Sequence, residues 1–142
     1  MQRSPALILS AALLAVLAPA GARSADYSAY TGAELYARFC AACHGQQATG
    51  DGPVSRSLGV AVPDLTGIAH RHGGQYPDAW VYRVIDGREY RATHGPRPMP
   101  VWGVELWREQ GADLAAGGKT RDLISRLVEY LQTLQTERAP AG

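Results

Sequence analysis

The 142-residue chain holds two cysteines, one lysine and, past the initiator, one methionine. Each scarcity removes something. Cys40 and Cys43 stand three residues apart and no second pair exists, so a four-ligand zinc site lacks half its thiolates and a multi-disulfide framework is excluded. Lys119 by itself cannot build a lysine-lined surface. No excess of one charge exists either: 14 basic and 13 acidic residues give a formal net charge of +1. Nucleic acid is therefore not expected as a partner, because phosphate binding needs a clustered excess of Lys and Arg. Alternating strand patterns, internal repeats and a second domain boundary are all missing, and a chain of this length makes about one domain.

One apolar run is present, Ala6 to Ala18, and it is shorter than the roughly 20 residues a spanning helix needs. Arg3 before it, then Pro19 and the small residues Ala20, Gly21 and Ala22 after it, describe a secretory signal peptide over residues 1–22, cut after Ala22. The alternative is an uncleaved anchor. No cysteine lies near the cut, so a lipid anchor there is excluded. The mature chain carries 13 basic and 13 acidic residues. Its modest length buries a modest core, and exported domains of this size often add disulfides or a bound cofactor.

Residues 23–30 read as a short exposed leader, 31–137 as the folded domain and 138–142 as a tail. Thr31 followed by Glu34 is a capping-box pattern, and Leu35, Tyr36 and Phe39 then share one helical face that runs into Cys40. From Gly45 to Gly74 the chain is rich in Gly, Pro and Ser without a period. Loops of that length are rare in compact domains unless they wrap something that replaces the missing core. Helical signal returns over residues 77–86, with Pro77 suited to the first turn, Trp80, Val81, Val84 and Ile85 on one face and Gly87 as the stop. Residues 88–103 look irregular, and Val104 to Glu109 have room for one or two turns. Leu123, Ile124, Leu127, Val128, Leu131 and Leu134 define a last helix, with Thr120 placed to cap it and Pro140 beyond its end. The expected class is all-α with long loops.

The stretch FCAACHG (39–45) concentrates every thiol of the chain in a Cys-x-x-Cys-His pattern, the sequence of covalent c-type haem attachment. On one helical turn, two thiols three apart can each add to a haem vinyl group, while the next residue is carried under the porphyrin. Cys40 and Cys43 would become thioethers and His44 the proximal iron ligand. Competing readings are a Cys40–Cys43 disulfide, awkward inside a helix, zinc, and a thioredoxin-like redox pair, which normally follows a strand rather than a capped helix.

Met99 is the one thioether left for the other face of the iron, and Pro98 and Pro100 flank it and restrict its backbone. An isolated methionine otherwise fills gaps in a core. His94 is the best substitute ligand, ahead of His70 and His72, and its ligation would lower the reduction potential.

These residues resemble the small soluble cytochrome c family, in its Met-ligated class, over roughly residues 31 to 137. The matching run is Gly32, Tyr36, CAACHG, GDGP (50–53), PDLT (63–66), VIDG (84–87), MPVWG (99–103) and LVEYLQTL (127–134). The resemblance implies three main helices around one haem c, with Gly32 and Tyr36 crossing Tyr130 and Leu131. It implies that the Pro53 carbonyl accepts a hydrogen bond from the His44 imidazole, that Leu65 packs on the haem, and that His44 and Met99 bind the iron. HRHGGQ (70–75) matches no part of the pattern, ELWREQGADLAAGG (105–118) is longer than a minimal domain of this family needs, and Arg71 and Trp102 are candidates for propionate contacts.

Such a site implies a periplasmic one-electron carrier between redox protein partners, free or as the haem subunit of a respiratory enzyme, with membrane contact only through partner complexes or an uncleaved anchor. The alternative keeps the haem but lets Met99 dissociate, giving a ligand-binding sensor or peroxidase-like protein. A haem-free disulfide module is the third class. Arg83, Arg88, Arg91 and Arg97 outnumber Asp86 and Glu89 near Met99, either as a solvated face or as a docking surface for an acidic partner.

Overall fold

The computed structural model describes residues 25–88 and 99–136. The expected signal peptide (residues 1–22), the arginines Arg91 and Arg97, Glu89, His94, Pro98 and the 138–142 tail lie outside the described residues. The described chain forms six α-helices: α1 (Gly32–Phe39), α2 (Ala41–His44), α3 (Ile68–Arg71), α4 (Asp78–Asp86), α5 (Trp102–Glu109) and α6 (Leu114–Thr133), with one 3₁₀ turn at Ser55–Ser57. No strand occurs among the described residues, so the fold is all-α, as expected. Among them, no helix is long and apolar enough to cross a membrane.

Helix α1 begins as its residues dictate. The Thr31 side chain accepts from the Glu34 amide at 3.2 Å, and the Glu34 carboxylate takes the Thr31 amide at 2.8 Å, which satisfies two donors that the helix leaves free. Leu35 and Tyr36 turn inward. They meet α6, whose Leu123, Ile124, Leu127, Val128 and Leu131 recur at helical spacing and are all buried. Helix α6 also packs against α4 and α5, so it is the hub of the core. The α1–α6 crossing is close because residue 32 is glycine. A β-carbon there would lie 2.7 Å from that of Tyr130 and would overlap the Arg126 carbonyl oxygen. The Tyr36 and Tyr130 rings pack beside this crossing with centroids 5.5 Å apart, as the resemblance implies.

Three local expectations are corrected. Thr120 does not cap the last helix, which starts two turns earlier: Asp113 is the N-cap, accepting from the Ala116 amide at 2.7 Å. Gly117 and Gly118, poor helix formers, sit inside α6, carried by the burial of Ala116 and Thr120 on either side. This start, together with α5 and a tight turn at Gly111 and Ala112, accounts for the extra length of the ELWREQGADLAAGG segment. Nor is the described part of the expected leader, residues 25–30, simply exposed: Tyr27 is buried, edge-on to both Tyr30 and Phe39. Arg126 donates to the Ser28 and Tyr30 carbonyls, and Gln110 to that of Ala25, which holds the segment down. Pro77 precedes α4 as its N-cap instead of opening its first turn.

Thr120 leaves a testable signature. Its side chain is wholly buried and its hydroxyl has no hydrogen-bond partner. Thr120→Val keeps the shape and removes the unsatisfied group, so chemical denaturation of the variant should show a gain of about 1 kcal/mol. A loss of stability would mean that the hydroxyl has a partner, such as a buried water.

Candidate haem-binding site

Helix α1 stops at Cys40, whose amide still bonds the Tyr36 carbonyl at 2.9 Å. The chain then re-enters a single turn, α2, closed by the His44 amide on the Cys40 carbonyl and the Gly45 amide on that of Ala41, both at 2.9 Å. Gly45, at φ +82°, ends it. Cys40, Cys43 and His44 thus share little more than one helical turn. The two thiols are half-buried and unbridged, so the disulfide reading finds no bond here. Burial, with Cys43 adding to it, pushes the Cys40 thiol up to about 12.

The glycine-rich loop after α2 turns back onto it. The Gly50 amide reaches the His44 carbonyl at 2.8 Å, Gly52 that of Cys43 at 3.2 Å and Val54 that of Ala42 at 3.0 Å. Carbonyls at the end of a helical turn have no partner within it, and the loop supplies them. A side chain at position 52 would prevent this, because its β-carbon would stand 2.5 Å from the Ala42 oxygen and 2.6 Å from that of Cys43. From the other side, the buried Tyr36 hydroxyl donates to the Gly45 carbonyl at 2.7 Å. Desolvation, with Cys40, Tyr130 and Asp51 nearby, raises that phenol well above its usual value, so it stays protonated as a donor.

His44 is buried and its Nδ1 lies 3.3 Å from the Pro63 carbonyl oxygen. A carbonyl can only accept, so Nδ1 carries the proton and Nε2 is left with its lone pair. Burial lowers the imidazole pKa, outweighing the Pro63 bond that raises it, so the ring is neutral near pH 7. The acceptor is Pro63 and not Pro53, which corrects the expected pairing. The Gly52 and Val54 bonds hold Pro53 against the outer edge of α2, where it is exposed beside Ala41 and Ala42 at a surface cleft. The chain reaches the imidazole only ten residues later, after the 3₁₀ turn.

Leu65 follows Pro63 closely and is half-buried against the core, its amide on the Ala48 carbonyl at 2.7 Å. A residue that sequence reasoning missed ties this segment to α6: Gln135 donates to the Leu65 carbonyl and accepts from the Ala69 amide, both at 2.9 Å. A glutamine beyond a helix carries no sequence signal of such a role. Met99 is also half-buried against the core, three residues before α5. Trp102 packs on Phe39 with centroids 5.4 Å apart, and the Arg71 guanidinium bonds the Asp64 carbonyl at 2.5 Å. HRHGGQ forms the end of α3 and a turn, with His70 and His72 exposed and the His72 ring against Trp80 at 4.7 Å.

Among the described residues, no three of His, Cys, Asp and Glu converge to hold a bare metal ion. A single buried, neutral imidazole suits an iron that arrives with four nitrogen donors of its own, and two unbridged thiols in the same turn suit its covalent attachment. The residues present therefore fit haem c. The chain belongs to the cytochrome c family, since the family model described as Cytochrome c matches residues 29–135. No curated protein and no solved structure matches the chain. Membership makes it a haem c electron-transfer protein, with the haem attached covalently through Cys40 and Cys43.

Proposed function

We propose that the protein is a periplasmic one-electron carrier whose haem iron is bound by His44 on one face and Met99 on the other. The observation that carries this is the His44 ring, buried and neutral, with Nδ1 committed to Pro63 and Nε2 available. Donation of the Nδ1 proton to a carbonyl fixes the ring's orientation and strengthens its other nitrogen as a ligand. Met99 supports the second half: it is half-buried, followed by Pro100, and held close to α5. The haem supplies a one-electron iron couple, and His/Met ligation places its potential above that of bis-histidine ligation. Were His44 and Met99 both to hold the iron, no coordination site would be left for a substrate, and electron exchange would be the remaining chemistry. The signal peptide expected over residues 1–22 would deliver the chain to the periplasm.

The oxidised holoprotein should show the near-infrared band of sulfur-to-iron charge transfer, and the reduced form should bind almost no carbon monoxide at neutral pH. Met99→Ala should abolish the band, lower the potential and admit carbon monoxide. A wild-type protein that lacks the band and takes up carbon monoxide would instead be a ligand-binding or peroxidase-like protein. The partners we propose are redox proteins, donor and acceptor, with acidic faces, met by exposed arginines such as Arg83. Electron-transfer rates should then fall as ionic strength rises, and a flat profile removes the steering.

A further inference from the structure

We propose that Asp86 is a positioning residue for Met99, anchoring the turn of α5 that follows the methionine so that the thioether is held toward the iron. The proposal rests on the reading of Met99 as an iron ligand. Asp86 is the last residue of α4 and is only 7% exposed. A carboxylate at that end of a helix faces the negative pole of the macrodipole, so its own helix does not favour it. A buried charge in such a place needs compensation from elsewhere.

Compensation comes from two sides. Arg88 forks onto the carboxylate, with Nε 2.9 Å from Oδ1 and 3.0 Å from Oδ2, and Nη2 2.6 Å from Oδ1. The second side is the start of α5. That helix has Val101 at its N-cap, a residue whose side chain cannot cap, and its first internal bonds run from Val104 and Glu105 to the Val101 carbonyl. Gly103 in this first turn lies directly against the Asp86–Arg88 pair. A β-carbon on Gly103 would collide with Asp86 Oδ1 and stand 2.7 Å from both the Asp86 carbonyl oxygen and Arg88 Nε. The carboxylate thus lies against the first turn of α5, near its positive pole, while its own hydrogen bonds go to Arg88.

Met99 is four residues from Gly103, and Val101 and Trp102 between them are half-buried. With so short a connection, any movement of the first turn of α5 is passed to the methionine. The ion pair also uses Arg88, so that guanidinium serves the interior of the protein as well as its surface charge.

The test uses the full holoprotein and Asp86→Asn, which keeps the shape and removes the charge. Wild type must first show the sulfur-to-iron band; its absence overturns the ligand reading on which the proposal rests, before any variant is made. Given the band, Asp86→Asn should keep its covalent haem while the band is lost at lower pH than in wild type. Carbon monoxide affinity of the reduced form should rise about tenfold, as expected from weakening the charged Asp86–Arg88 bonds that back the first turn of α5. Leu127→Val, a core change distant in sequence from this turn, serves as the control and should lower the denaturation midpoint without moving either readout. If Asp86→Asn also lowers only the denaturation midpoint, its role is structural and the proposal is overturned. Should Asp86→Asn not fold, Arg88→Lys keeps the charge and loses the fork. A shift of the band and of carbon monoxide affinity in the same direction then supports the proposal, and no shift overturns it.

Discussion

Replacing both Cys40 and Cys43 with alanine should yield, from a host able to attach haem, a full-length chain with no haem-stained band after denaturing electrophoresis. These are the only thiols, so no other residue can form the thioether. The loss should extend to folding. The segment from Gly45 to Gly67 contains one 3₁₀ turn and returns to α2 chiefly through backbone bonds. Backbone bonds each contribute only about 1 kcal/mol net, so the loop should depend on the apolar surface that a haem attached at α2 would add. We expect at least a roughly tenfold fall in soluble folded yield, by analogy with domains whose binding energy is folding energy. A stained band surviving in the double variant would contradict the assignment of the attachment site.

The second large effect is expected at the α1–α6 crossing. Gly32→Val should destabilise the holoprotein by roughly 3 kcal/mol or more, measured by denaturant unfolding, because the clash is with a backbone oxygen and a β-carbon rather than with the end of a flexible side chain. Gly32→Ala should act in the same direction with a smaller loss. Values within about 0.5 kcal/mol of wild type, the range of ordinary surface substitutions, would mean that the two helices separate freely.

What could be read from sequence follows the range of the interaction responsible. The capping box of α1 involves residues three apart, and its expected partners are the observed ones. The apolar stripe of α6 and the haem motif are equally local. The start of α6 was not legible, because Gly117 and Gly118 disfavour a helix by about 1 kcal/mol each relative to alanine, while the burial of Ala116 and Thr120 that overrides them is tertiary. The choice between Pro53 and Pro63 depends on how far a loop travels before it turns back, and no spacing rule gives that distance. Tyr27 was hidden for a similar reason: its partners Phe39 and Glu109 are remote in the chain. Gln135 acts through two backbone groups some 70 residues away.

The route from Gly52 to Pro63 has a practical consequence. Its ends are tied down at Cys43 and Ala42 on one side and at His44 on the other, whereas Gly59 at its apex faces open space, with nothing within 4 Å of where a β-carbon would stand. Lengthening a loop costs little when its anchors stay in place. An electrode linker or fluorescent peptide spliced in at the apex would therefore sit on the same excursion that presents a carbonyl to the imidazole, yet leave that carbonyl where it is. Wiring the protein to a surface need not retune it.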